Sequence, residues 1–148
     1  MNFTIEKMNS NHIAAIAEIE RECFSTPWSE KALSEELDNP NAHFFVAVAD
    51  NQVIGYGGMH SVAGENYIDN IAVTSKYRKN GAATKLLEEL EETAESENGE
   101  FISLEVRESN EAAIKLYEKS GYVRVGIRKR FYQSPTEDGI IMTKELEK

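Results

Sequence analysis

Asn70-Ile-Ala-Val73, Thr74-Ser-Lys-Tyr-Arg78-Lys-Asn-Gly81-Ala-Ala83, Thr84-Lys-Leu86-Leu87-Glu-Glu-Leu90-Glu-Glu92 is the stretch whose reading decides the fold. It reads as a buried strand, a basic turn closed by Gly81, and an amphipathic helix. Ala83, Leu86, Leu87, Leu90 and Ala94 recur at the spacing of one helical face. A helix start leaves backbone N–H groups unpaired and its dipole favours negative charge. Arg78 and Lys79 stand just ahead of that start, and Gly81 lets the backbone come close to a ligand. The stretch therefore reads as an anion site for a phosphate or pyrophosphate, with a plain strand-to-helix connection as the alternative.

Working outward, 148 residues suffice for one domain, 1–148, with a sizeable core. The single cysteine, Cys23, leaves no internal disulfide, and no Cys/His cluster has the spacing of a zinc site, so no metal is expected. Cys23 falls in phase with Ile13, Ile16 and Ile19, which gives it a core position. No signal peptide and no membrane-length apolar run is apparent, so a cytoplasmic protein is expected. The net charge of −10 argues against broad nucleic-acid binding and is compatible with a basic partner. Arg124, Arg128, Lys129 and Arg130 form a local basic patch.

Taken in order, residues 3–7 give a short strand, and a helix runs from about Asn11 to Cys23 with Ser10 or Asn11 as cap. Pro27 interrupts, and Ser29 caps a second helix whose buried side is Trp28, Leu33 and Leu37. Phe44–Ala49 and Val53–His60 form a hairpin about Asp50-Asn51-Gln52. Gly55, Gly57 and Gly58 suggest a bulge or a close backbone approach. Ala63-Gly64-Glu65-Asn66 turns the chain into the strand Tyr67–Val73. Asn98-Gly99 stops the long helix, and Phe101–Arg107 alternates with Ile102, Leu104 and Val106 on one face. Ser109 or Asn110 caps a helix with Ala113, Leu116 and Tyr117 inside, closed by Gly121. Strands Tyr122–Tyr132 and Ile140–Glu145 finish the chain. The order β-α-α-β-β-β-α-β-α-β-β implies an α/β or α+β domain, a mixed sheet with helices on its faces.

No nucleotide-hydrolysing phosphate loop and no serine-hydrolase elbow is present. His12, His43 and His60 each read as structural or solvated. Glu105, a carboxylate in mid-strand, and Tyr117, a phenol on an inner helical face, are the titratable residues of interest. Pattern alone is equally served by an outward Glu and a core Tyr.

Arg78-x-x-Gly81-x-Ala83 after Ile71-Ala72-Val73 resembles the acetyl-CoA signature of the GCN5-related N-acetyltransferase (GNAT) superfamily. Leu104-Glu105-Val106-Arg107, Ser109-Asn110, Ala113-Ile114, Leu116-Tyr117 and Ser120-Gly121-Tyr122 follow one another as in its RimI family. Phe24, Pro27-Trp28-Ser29 and Ile140-Ile141-Met142 do likewise. The resemblance spans essentially the whole chain. It implies a mostly antiparallel sheet with acetyl-CoA in the gap between the Tyr67–Val73 and Phe101–Arg107 strands. Backbone groups of Ile71, Ala72 and Val73 would hold the thioester. The N–H groups from Lys79 through Asn80, Gly81, Ala82 and Ala83 to Thr84 would hold the pyrophosphate, with Arg78 nearby and Asn110 further along the cofactor. Glu105 matches the family's general base and Tyr117 its general acid. Trp28, Phe131 and Tyr132 would border the acceptor peptide.

The acceptor implied is the N-terminal alanine of small-subunit ribosomal protein eighteen, presented on a basic peptide. Lysine side chains, small amines, or a non-catalytic acyl-CoA-binding role are the alternatives. Two positions depart from the pattern: Ala83 stands where the signature has a second Gly, and Phe131-Tyr132 where Tyr-Tyr is typical.

Overall fold

Among the described residues, seven strands form one sheet in the order β1-β2-β3-β4-β5-β7-β6. The computed structural model describes residues 2–146. The strands are β1 Thr4–Lys7, β2 Ala42–Ala49, β3 Gln52–Val62, β4 Glu65–Val73, β5 Phe101–Arg107, β6 Val123–Tyr132 and β7 Glu137–Glu145. The helices are α1 Ile13–Cys23, α2 Glu30–Glu36, α3 Ala82–Ser96 and α4 Glu111–Lys119. Every neighbouring pair is antiparallel except β4 and β5. The expected element order and mixed sheet are both present.

The alternation of β2 divides the interior. Phe44 and Val46 pack with Tyr56, Ala72 and Ile13, Ile16, Ala17, Ile19 and Leu33, which puts α1 and α2 on one face. Phe45 and Ala47 pack with Leu86, Leu87 and Leu90, and with Ile114 and Tyr117, which puts α3 and α4 on the other. Full burial of a leucine is worth roughly 1.5–3 kcal/mol, so α3 is held by its apolar stripe rather than by propensity.

The parallel contact between β4 and β5 is short: Glu65 faces Phe101, Asn66 faces Ile102 and Tyr67 faces Ser103, and there the ladder stops. Asn66, 2% exposed, pins the closed end by donating from Nδ2 to the Phe101 carbonyl at 3.0 Å. A bulge follows at once. Gly58 pairs with Asn70 and Met59 with Ile68, which leaves Asp69 as an extra residue in β4. A bulge bends its strand, and beyond this one β4 and β5 diverge.

Several local expectations are corrected. A 3₁₀ turn over Ser10–His12, capped by Asn9 rather than Ser10 or Asn11, precedes the first helix. Leu37 is 38% exposed, because α2 is too short to bury a second turn. Asp50 and Asn51 alone make the β2–β3 turn, both at positive φ as a type I′ turn requires, and Gln52 already pairs. Likewise Ala63 and Gly64 make the next turn, while Glu65 and Asn66 belong to β4. A 3₁₀ turn at Ser75–Tyr77 interrupts the basic connection. The stop at Asn98-Gly99 is present, with Asn98 in the left-handed conformation. On α4, Ile114 and Tyr117 are buried while Ala113 and Leu116 are only partly so. Cys23 is half-buried at the end of α1, packed against the core without entering it. The edge strand β6 exposes Val123, Val125 and Ile127.

Gly58 has no room for a side chain: a Cβ there would lie 2.5 to 2.8 Å from the Phe44 ring, itself packed against Trp28, Tyr56 and His60. Gly58→Ala is expected to cost about 1–3 kcal/mol. Urea denaturation should show a lower midpoint at unchanged slope.

Candidate active site

Where β4 and β5 part, a cavity of about 700 Å³ opens between them. Ile68 to Ile71 form one wall and Ser103 to Arg107 the other. Trp28 from the segment between α1 and α2, Asn110 and Tyr117 from α4, and Phe131 and Tyr132 from the last hairpin complete it. Seven of the site residues singled out in the sequence thus converge on one space: Ile71, Glu105, Tyr117, Asn110, Trp28, Phe131 and Tyr132.

Glu105 sits in β5 with 23% of its side chain exposed, and its Oε1 lies 3.1 Å from the Arg128 Nε. Its other oxygen is buried without a hydrogen-bond partner among the described residues. Such an atom is costly unless a ligand or water meets it. Tyr117 is buried against Tyr122, and burial, helped by Tyr132, holds its hydroxyl well above the ordinary phenol range. Tyr132 is pushed up to about 12, first by burial and then by the charge of Glu105. Asn110 caps α4, its Oδ1 accepting from the Ala113 N–H at 3.2 Å.

The anion-site residues lie elsewhere. Ile71 borders the cavity, but Ala72 and Val73 are buried in opposite cores, and the residues from Arg78 to Thr84 lie outside the lining. Arg78 is turned back on the fold: its Nε donates to the Val73 carbonyl at 3.0 Å and its Nη2 approaches the Cys23 sulfur at 3.4 Å and Glu22 at 3.8 Å. Gly81 is the N-cap of α3 at φ +84°, with open space where a Cβ would point. No side chain caps that helix, so its first N–H groups remain available to an anion.

Two features escaped the sequence. Arg107 reaches out from the end of β5 and gathers two loops. It donates to the carbonyls of Gln133 (2.7 Å) and Pro135 (2.9 Å) and to Ser25 Oγ (3.2 Å), pairs with Glu137 (3.2 Å), and lies over the Tyr132 ring. Asp69, the bulged residue, also borders the cavity and is bonded to His60, whose Nε2 meets Glu36 of α2 at 2.6 Å. Burial pushes Asp69 up to about 6, against the pull of His60. Burial alone would lower His60, but Asp69 and Glu36 outweigh it and the imidazole is held above its usual value.

Residues 13–122 match the Acetyltransferase (GNAT) family. The chain belongs to the GNAT acetyltransferase family. It is 35% identical over 139 residues to a Bacillus subtilis (strain 168) protein provisionally named a ribosomal protein bS18-alanine N-acetyltransferase, covering 93% of this chain and 92% of that one. The crystal structure of the ribosomal-protein-S18-alanine N-acetyltransferase from Escherichia coli superposes with a TM-score of 0.91 at 30% identity, covering 99% and 96% of the two chains. A NatC complex bound to Gag peptide and CoA follows at a TM-score of 0.87 and 25% identity, covering 99% and 100%. The likeness to the RimI family is therefore real, and this GNAT chain is an N-acetyltransferase with the fold expected.

Two outcomes test this geometry. Because folded His60 holds its proton more tightly than unfolded His60, its stabilisation is complete below about pH 6.5 and is lost as pH rises through the raised value. The difference in Tm between the protein and His60→Gln should therefore shrink steadily from pH 6.5 to 9. Arg107→Ala removes the tie on residues 133–137, and amide exchange there should accelerate at least about tenfold while α3 is unaffected.

Proposed function

We propose that this enzyme transfers the acetyl group of acetyl-CoA to the free N-terminal α-amine of a ribosomal protein that begins with alanine. The observation that carries this reading is the pair of Glu105 and Tyr117, brought to one cavity from a strand and a helix, with one Glu105 oxygen buried and unpartnered. The names of its RimI-type relatives support the acceptor, and the CoA bound in the NatC complex supports the donor.

An α-amine of pKa near 8 is mostly protonated at neutral pH and must shed a proton before it can attack. Glu105 takes that proton, directly or through one water. The amine nitrogen then bonds to the thioester carbonyl carbon as the carbon–sulfur bond breaks. Tyr117 gives its hydroxyl proton to the departing sulfur. The second proton shed by the acylated nitrogen returns to the Tyr117 phenolate, directly or through water, leaving a neutral amide and a free thiol. The raised pKa of Tyr117 keeps its hydroxyl proton in place throughout the neutral range. Attack is direct and needs no acyl-enzyme.

Backbone groups of Ile71, Ala72 and Val73 border the acetyl end, and Lys79, Asn80, Gly81, Ala82, Ala83 and Thr84 cradle the pyrophosphate at the uncapped start of α3. Arg78 serves by bracing that turn. The acceptor peptide lies along Trp28, Phe131 and Tyr132. Among the cavity carboxylates Glu137 is bound by Arg107 and the Ser109 N–H and Asp69 by His60, which leaves Glu105 to face a cationic peptide end. Arg128 neutralises Glu105 until the ammonium competes for it.

Incubation with acetyl-CoA and three acceptors decides the reading by mass spectrometry: a free alanine-terminated basic peptide, its α-blocked form, and a polyamine. Only the first should gain an acetyl group; labelling of the blocked peptide or the polyamine would overturn the α-amine assignment. Glu105→Gln should lower kcat by roughly 10²–10⁴-fold, with the loss steepest at low pH. Tyr117→Phe should slow turnover with acetyl-CoA affinity within about twofold. Unchanged rates in both would remove the acid–base pair.

A further inference from the structure

Glu20 occupies the apolar phase of α1, one turn after Ile16 and two after Ile13, and is fully buried. Its Oε1 accepts from the backbone N–H of Trp28 at 2.8 Å. Its Oε2 accepts from the Tyr56 hydroxyl and from Asn70 Nδ2, the latter at 3.2 Å. No cation is among these partners. Burial raises the carboxyl above its usual pKa, against the pull of Tyr56, Trp28 and Asn70.

Two of these partners border the cavity from different elements. Trp28 lies in the segment between α1 and α2, and Asn70 directly follows the bulge of β4. Glu20 itself does not line the cavity. A buried carboxylate without a cation is expensive to keep, and an apolar side chain would fill the same phase of the helix at less cost. Its geometry does one thing an apolar side chain cannot: it ties a loop backbone to the sheet at a fixed distance. The same loop is tied at Ser25 by Arg107, so it is held at both ends.

We propose that Glu20 is a positioning residue for the acetyl acceptor: it sets the Trp28 segment against the Asn70 end of the bulge and so fixes the width of the acceptor side of the cavity. This rests on the reading that the acceptor peptide lies along Trp28. The proposed pyrophosphate cradle on the turn before α3 is not among the groups Glu20 bonds.

Trp28 is the only tryptophan of the chain, so its fluorescence reports the position of this loop without turnover. Glu20→Ala should raise the KM for a free alanine-terminated basic peptide by about tenfold or more, while the KM for acetyl-CoA stays within about twofold. Acrylamide should quench Trp28 more strongly in the same variant. Glu20→Gln keeps an acceptor for the Trp28 N–H and should fall between the wild type and Glu20→Ala in both measurements. It also serves if the alanine variant does not fold. An unchanged peptide KM with unchanged quenching overturns the proposal, as does an equal loss of affinity for both substrates. If the wild type acetylates no peptide, the reading of the acceptor fails separately, and the order of quenching still decides whether Glu20 holds the loop.

Discussion

The candidate active site depends on a failure of pairing. β4 and β5 run parallel for three residue pairs and then separate, because β4 carries one residue too many at Asp69. Asn66 clamps the start of the ladder, so the strands open as a wedge about a fixed apex and do not slip. A fully zipped ladder would spend the backbone groups of both strands on each other. The divergence frees strand edges in the middle of a sheet that carries helices on both faces. Tyr117 can then approach the gap from the α4 side while Glu105 lines it from within the sheet.

Around that opening the polar groups are arranged by mutual restraint. The chain carries a net charge of −10, yet the cavity holds Arg107 and Arg128 beside Asp69, Glu105 and Glu137. Arg107 is fully engaged by two loops and Glu137, and so acts as a structural bolt. Arg128 is exposed over more than half its side chain, so its pairing with Glu105 is weakly held and replaceable. The contrast matters for chemistry: the walls are fixed, and the counter-ion of the proposed base is free to leave.

What the sequence disclosed was whatever repeats locally. The apolar stripe of α3, the alternation of β5 and the turn signal at Asp50-Asn51 each follow from a short period or a backbone preference, and each is present in the fold. Glu105 and Tyr117 were legible as positions, and their family resemblance brought them together before any distance was known. Arg107 and Arg128 were invisible as site residues because their partners lie across the sheet, and side-chain reach carries no periodic trace. His60 read as structural or solvated, and only the fold shows it to be structural, because nothing local signals Asp69 or Glu36 beside it. Glu20 did leave a trace: a lone charge on the apolar phase of α1, between Ile16 and Cys23, is the pattern of a buried polar tether.

Cys23 gives the fold a chemical safeguard. The only thiol of the chain borders the cavity in which the proposed reaction would cleave a thioester, and the thiolate is the nucleophilic form of cysteine. In its seat beneath Arg78 at the end of α1, burial raises the thiol pKa against the pull of Arg78, which favours the protonated sulfur. A protonated sulfur is a poor nucleophile, and self-acylation of the enzyme is thereby disfavoured. The same half-burial that keeps Cys23 out of the core thus separates two sulfur chemistries that would otherwise compete for one acetyl group.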